Sequence, residues 1–503
     1  MFMNVATIDV SHSEDMDKRP PNYSASYTNP VFTEDPKPCF ISNVMSRVNF
    51  ESERDKSSQQ IKNDSRVSIA DFSIADTKDY DPHDFCNSKK PTTYCDTLVH
   101  LLKAAIGTGI LAIPSAFKDA GYAVGVVGLI IMGAFYTYCI HMLLSSEYEL
   151  CKRRRQVNMS YAATVQAAFE EGPKRLRWLA GVGQFAANFF FMLYESGGCA
   201  VYIIFISSNL KQLLDYYFEA DFNLRLIMAY VTIPLILCCW IRNLKLLAPL
   251  SAIANVLMVI SFCLVFWYVF QQAPSFEGRR ARGEPSKLPM YLTTVLFSVA
   301  STGLILPLKN EMKSPKSFST PLGVMNVSMI PISFLYVIFG FFGYLKYGDD
   351  IKGSITLNLP QAEGLAQLIK GLYSLTIFIS YHLCYYVVYD IVWKNFLQGK
   401  IQTKKLFWEY VMRTLIPVVT FLMACAIPNL DLFISLVGAV GISTTSLVIP
   451  IITHWLVFWD HYTSITKRSI YFIKNLLLLC ISLMIFFTGV TESVSDIIKT
   501  YYK

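Results

Sequence analysis

Eleven apolar runs, each near the length of a bilayer crossing, follow one another through most of this chain and decide its fold class. They lie near 97–118, 122–144, 178–208, 226–241, 247–270, 289–308, 320–347, 364–392, 407–427, 430–458 and 470–489. A hydrocarbon core takes roughly 20 helical residues to cross. Backbone groups in lipid must find their partners within the segment, so the runs read as helices and the chain as an all-α integral membrane bundle of about eleven transmembrane helices. Composition agrees: 53% of the 503 residues are hydrophobic and 16% charged, with mean hydropathy +0.38, too apolar for a soluble domain of this length. The formal charge of +7 does not point to nucleic acid. Its basic residues sit in short loops between apolar runs, where a lipid bilayer is the partner that explains them.

Three regions follow. Residues 1–92 are rich in Ser, Asp, Asn, Lys and Pro without a sustained period, and are expected to be a disordered tail. Residues 93–490 form the transmembrane domain, and 491–503 a short outer or lumenal tail. The first forty residues lack a basic start followed by an apolar core, so no cleavable signal peptide is expected and the first membrane helix targets the chain.

Loop charge sets the orientation. With the tail inside, the inner connections carry Lys152 to Arg155, Arg242 and Lys245, Lys313 and Lys316, Lys400 with Lys404 and Lys405, and Lys467 with Arg468. Positive charge marks the cytoplasmic side, which puts the N-terminus in the cytoplasm. One outer loop is an exception, with Arg279, Arg280 and Arg282. The four N-x-S/T sequons, at Asn22, Asn63, Asn158 and Asn326, all map to the inner side or the tail. The twelve cysteines avoid the outer loops and show no paired C-x-x-C spacing, so neither a disulfide framework nor a metal site is expected.

Two spans are interrupted. The first contains Gly107 and Gly109 around Thr108, with Pro114 beyond; the sixth contains Ser298, Ser301, Thr302, Gly303 and Pro307. If the first ten spans form two five-helix halves, these are the first helix of each half, a 5+5 inverted-repeat arrangement that marks a transporter binding site near the midplane. Hydropathy order alone carries this symmetry, for no residue-level repeat is visible. Unwinding a membrane helix frees N–H and carbonyl groups that a solute can satisfy. The half-helix beginning at Ile106, Gly107, Thr108, Gly109 and Ile110 offers N–H donors and positive dipole to a carboxylate. Carbonyls around Ser298, Ala300, Ser301, Thr302 and Gly303 can accept from an ammonium group. Paired breaks of this kind suit an amino acid; the competing reading is Gly/Ser contacts for close helix packing.

The stretches "HLLKAAIGTGILAIPSAFKDAG", "LPLKNEMKSPKSF" with "GVMNVSM", and "YGDDIKGSITLNLP" resemble, in that order, the proton-coupled amino acid transporters of the amino acid/auxin permease group. The resemblance spans roughly residues 92 to 490. It implies an eleven-helix inverted-repeat fold, transport of small neutral amino acids, often by proton symport, and a proton-coupling role for the histidine at His100. No cofactor other than the coupling proton is implied. Departures from the family pattern are Ala104 and Ala105 in place of a flexible, polar pair, and Ala300 and Lys309 where acids are usual. The chain is thus a divergent member, and the loss of both acids bears on selectivity and coupling.

Polar residues within spans sharpen the site. His100 lies about two turns before the first break, where an imidazole suits a proton relay; hydrogen bonding between helices is the alternative. Glu195, in the third span, is the acid that can replace the one missing at Ala300; a purely structural pairing is its alternative. Lys309, near the cytoplasmic end of its span, is expected to snorkel. Tyr381, Cys384 and Tyr385 follow helical spacing in the eighth span and can line a permeation path, or simply pack. In the tail, Pro20, Pro21 and Tyr23 form a PPxY motif fitted to a WW-domain groove, as carried by ubiquitin ligases.

The function read from these features is a secondary transporter of small neutral amino acids, proton-coupled and working by alternating access in the plasma or lysosomal membrane. The alternative is a sensor that binds an amino acid at the same breaks with little flux. No metalloprotease, phosphate-loop or nucleophile-elbow motif points to an enzyme.

Overall fold

A computed structural model describes residues 80–85, 91–105, 107–242, 244–271, 275–397, 403–460 and 464–501. Pro20, Pro21, Tyr23 and Ile106 lie outside the described residues. Among those residues the chain is helical, with one isolated parallel bridge joining Thr92 to Met312.

The first crossing is made by α1 (Tyr94–Ala105) and α2 (Thr108–Ala120), which meet at an angle of 53°. Then come α3 (Tyr122–Arg154), a surface helix α4 (Tyr161–Glu171), α5 (Ala180–Phe218), α6 (Leu224–Cys239) and α7 (Leu244–Phe270). The sixth crossing is again split, into α8 (Leu288–Val299) and α9 (Thr302–Glu311). Next are α10 (Val324–Tyr347), α11 (Gly364–Val392) and α12 (Lys405–Ala426). The tenth crossing joins α13 (Leu430–Val437) and α14 (Ile449–Val457) through a π-helical stretch, Gly438–Val448. Helix α15 (Ile465–Tyr501) ends the chain and runs on through the stretch read as an outer tail. Apart from the short, apolar α6 and the bent α1–α2 pair, every crossing is long and apolar enough on its own.

Both breaks fall where glycine, serine and threonine interrupt the apolar runs. Gly107 is extended (φ −122°, ψ −155°) and Ala300 likewise (φ −74°, ψ 129°), so the helical ladder lapses at each. The two broken helices pack against one another at the centre of the bundle. A Cβ at Gly109 would come within 2.7 Å of the Ser298 Cα, so this contact requires glycine. The tenth crossing is the most enclosed and α15 the most exposed to the surroundings.

The basic loop after α7 has a structural use. Arg279 donates to the carbonyls of Leu345 and Lys346, at 3.0 and 3.2 Å, and so caps the C-terminal end of α10. The carbonyls of Arg280 and Ala281 accept from the N–H groups of Tyr122 and Ala123, closing the start of α3. Of the three arginines, Arg279 is the one whose side chain caps a helix end, while the Arg280 side chain pairs with Glu284 and Asp349.

Candidate functional site

At the first break, Gly107 opens α2 with no side-chain cap, so the first-turn N–H groups at Thr108, Gly109 and Ile110 have no partner within the helix. Space for a ligand adjoins them: a Cβ built at Gly107 meets nothing within 4 Å. Thr108 and Ile110 themselves are buried.

At the second break the freed groups are largely taken up by side chains. The Ser301 N–H donates to the Tyr136 hydroxyl at 2.9 Å, and the Tyr336 hydroxyl donates to the Ser298 carbonyl at 2.8 Å. Ser298 Oγ donates to the carbonyl of Gly109 at 2.9 Å, joining the two breaks directly. The Thr302 and Ser446 hydroxyls are 2.6 Å apart. The carbonyls of Ser298 and Ser301, read from sequence as open acceptors, thus each have a donor, Ser301 from the Leu304 N–H at 3.0 Å. Each retains one further lone pair.

Glu195 of α5 reaches this junction. A Cβ at Gly303 would lie 2.8 Å from Glu195 Oε1 and 3.2 Å from the Phe191 ring, so only glycine at 303 lets the carboxyl sit against the first turn of α9. Gly303 is one turn beyond Ala300, so the carboxyl supplied by the third crossing lies beside the second break. The Cys384 thiol of α11 lies near this carboxyl and donates to the Tyr202 hydroxyl at 3.8 Å. Glu195, Gly303 and Cys384 form one cluster.

Tyr381 and Tyr385, expected to share a lining with Cys384, belong elsewhere. The Tyr381 hydroxyl pairs with Thr420 Oγ1 of α12 at 2.8 Å. Tyr385 stacks between Tyr381 and Tyr389, and Arg413 of α12 sits 4.4 Å over the Tyr389 ring. The Tyr381 hydroxyl thus reaches α12, while Cys384 meets Tyr202 of α5. His100 is half-buried on α1, with Asp96 and Lys103 of the same helix as its charged neighbours. It is not among the groups clustered at Glu195.

Lys309 does not snorkel. It is 3% exposed and forms an ion pair with Glu147 of α3, itself 1% exposed. Cys151 Sγ donates to the other carboxylate oxygen at 3.4 Å. Glu147 of α3 lies within reach, so the Lys309 side chain finds an acid before it finds headgroups.

Several of these partners carried a weak signal in sequence. Ser446 ends a run of four hydroxyl residues, 443–446, inside an apolar span, a readable mark of a polar interior face. Tyr136 and Tyr336 are two among 29 tyrosines, and nothing local sets them apart.

A family model described as transmembrane amino acid transporter protein matches residues 90–495. The chain belongs to that family. Within it, the chain is 34% identical over 423 residues to the proton-coupled amino acid transporter-like protein pathetic of Drosophila melanogaster, covering 84% of this chain and 89% of that one. It is 25% identical over 412 residues to the probable amino acid transporter skat-1 of Caenorhabditis elegans, covering 80% and 89%. Among solved structures, it aligns with the inward-facing conformation of Mhp1 at TM-score 0.49 and 13% identity, over 82% of this chain and 92% of that one. A closed Mhp1 with bromovinylhydantoin bound aligns at TM-score 0.46 and 12% identity, over 82% and 95%. As a member of the transmembrane amino acid transporter family, this is a multi-pass membrane protein.

Proposed function

We propose that the chain carries small neutral amino acids across the membrane by proton symport and alternating access, with its N-terminus in the cytoplasm. The observation that carries this reading is the junction of the two breaks: free N–H groups and open space at Gly107, and a buried carboxyl, Glu195, against Gly303. The substrate carboxylate is received by the first turn of α2. Its ammonium group lies toward the remaining lone pairs of the sixth-helix carbonyls. Glu195 binds and releases the coupled proton, and each change alters the charge of the site at the start of α9. His100 stands in the same reading as a second proton group, on the tail side of the first break. The Lys and Arg bias of the tail-side loops supports the orientation; in the one basic loop on the other side, Arg279 caps the end of α10.

The test is uptake of radiolabelled alanine into proteoliposomes with and without an inward proton gradient. Wild-type protein should accumulate it only with the gradient. Glu195→Gln keeps size and hydrogen bonding but fixes one charge state, and should abolish gradient-driven accumulation while alanine exchange persists. An unchanged pH profile in Glu195→Gln would make Glu195 structural. Binding of alanine with no accumulation by wild-type protein would identify a sensor instead.

A further inference from the structure

The chain ahead of the first helix packs against the tail-side end of the bundle, beside the Lys309 and Glu147 pair. Pro82–Phe85 forms a single 3-10 turn against α3, with Pro82 buried. The His83 ring stacks on Tyr148, centroids 4.8 Å apart. Asp81 and Asp84 grip Lys316, in the turn after α9, at 2.7 and 3.3 Å. Further along, the Thr92 N–H donates to the Glu311 carbonyl at 2.9 Å and its carbonyl accepts from the Lys313 N–H at 3.0 Å. The pre-helix chain therefore ties the start of α1 and the end of α9 to each other and to α3.

We propose that Asp81–Phe85 is a latch on the tail-side mouth and that protonation of His83 releases it. The proposal rests on the alternating-access reading, because the ends of α1 and α9 are the ones that must separate if the site is to open toward the tail side. His83 is suited to the role by what surrounds it. Neither ring nitrogen makes a hydrogen bond, and the Asp81 carboxylate is 3.6 Å from Nδ1. The charged and titratable groups facing it are Lys309 of α9, Lys316 of the following turn, Glu147 and Tyr148 of α3, and Asp81 of its own segment. Both acids are already engaged: Glu147 by Lys309, and Asp81 by Lys316 and by the His83 N–H at 3.0 Å. Burial first, and the Lys309 ammonium second, hold the docked imidazole below its ordinary value; Asp81 and Glu147 oppose this, and Lys316 adds to it. A histidine depressed in the docked state takes up a proton more readily when undocked. Docking is therefore at full strength above the free imidazole value of about 6.5 and weakens as pH falls below it.

The test is hydrogen exchange of the full-length protein in lipid nanodiscs, followed at the amides of residues 81–85 and 92–93, with the intrinsic pH dependence of exchange divided out. Moving from about pH 7.5 to about pH 5.5, on either side of the free imidazole value, should remove protection from residues 81–85 in the wild type. His83→Gln, which cannot gain the proton, should stay protected at both values, and Lys316→Ala should lose protection at both. Wild-type protection that does not change with pH, a His83→Gln chain that still responds to it, or a Lys316→Ala chain that stays protected overturns the latch. Exchange is read without transport, so a chain that unlatches yet accumulates no amino acid removes the transport reading and leaves the latch standing.

Discussion

Lys309→Met strands the Glu147 carboxylate in the interior. In the wild type both partners are almost wholly buried, 3% and 1% exposed, so neither charge has water to fall back on. After the substitution Glu147 keeps the Cys151 thiol at 3.4 Å, a weak donor. Breaking a buried pair from one side costs about 3–5 kcal/mol, because an uncompensated charge remains in a medium that solvates it poorly. Glu147→Gln leaves the ammonium in the same position and should cost a similar amount. The double substitution removes both charges while keeping similar volume, and its expected cost is under about 1 kcal/mol, with a net gain equally consistent with burial. The cycle therefore has a coupling energy of at least roughly 5 kcal/mol, far above the 0.2–1 kcal/mol of an exposed pair. Reversible unfolding by surfactant titration in mixed micelles measures all four corners. A Lys309→Met cost below about 1 kcal/mol would refute the reasoning, for it would mean that the lysine reaches headgroups or water as its position near the helix end first implies.

The two glycines of the first break should separate by phenotype: Gly107→Leu enters open space, so it should leave unfolding unchanged but abolish alanine binding by calorimetry. Gly109→Ala drives a methyl onto the Ser298 backbone at 2.7 Å and should cost about 1–3 kcal/mol of stability, read in the same surfactant titration. In the tail, Tyr23→Ala removes the aromatic anchor of the PPxY motif; surface biotinylation should show higher abundance with unchanged alanine affinity, and WW-domain binding to a peptide of residues 15–30 should be lost.

The number and order of crossings were legible in sequence because each is a local property: an apolar run of bilayer length must be a helix whatever surrounds it. The breaks were legible for the same reason, since glycine, serine and threonine inside such a run weaken the ladder at those residues, and the helices lapse within a residue or two of Gly107 and Ser301. Facing is not local. Whether Glu195 points at the break depends on how α5 is rotated against α9, and the absence of a side chain at Gly303 that admits its carboxyl lies 108 positions away in the chain. The same holds for Tyr381, whose spacing matched Cys384 but whose hydroxyl pairs with Thr420 on α12, and for Tyr385, whose ring stacks between Tyr381 and Tyr389. Lys309 shows the limit most clearly: depth along its own helix suggested headgroups, and only the packing of α3 against α9 supplied Glu147. Periodicity fixes what a segment is, while the partner of a buried charge is set by which helix covers it, and that is decided by the tertiary fold.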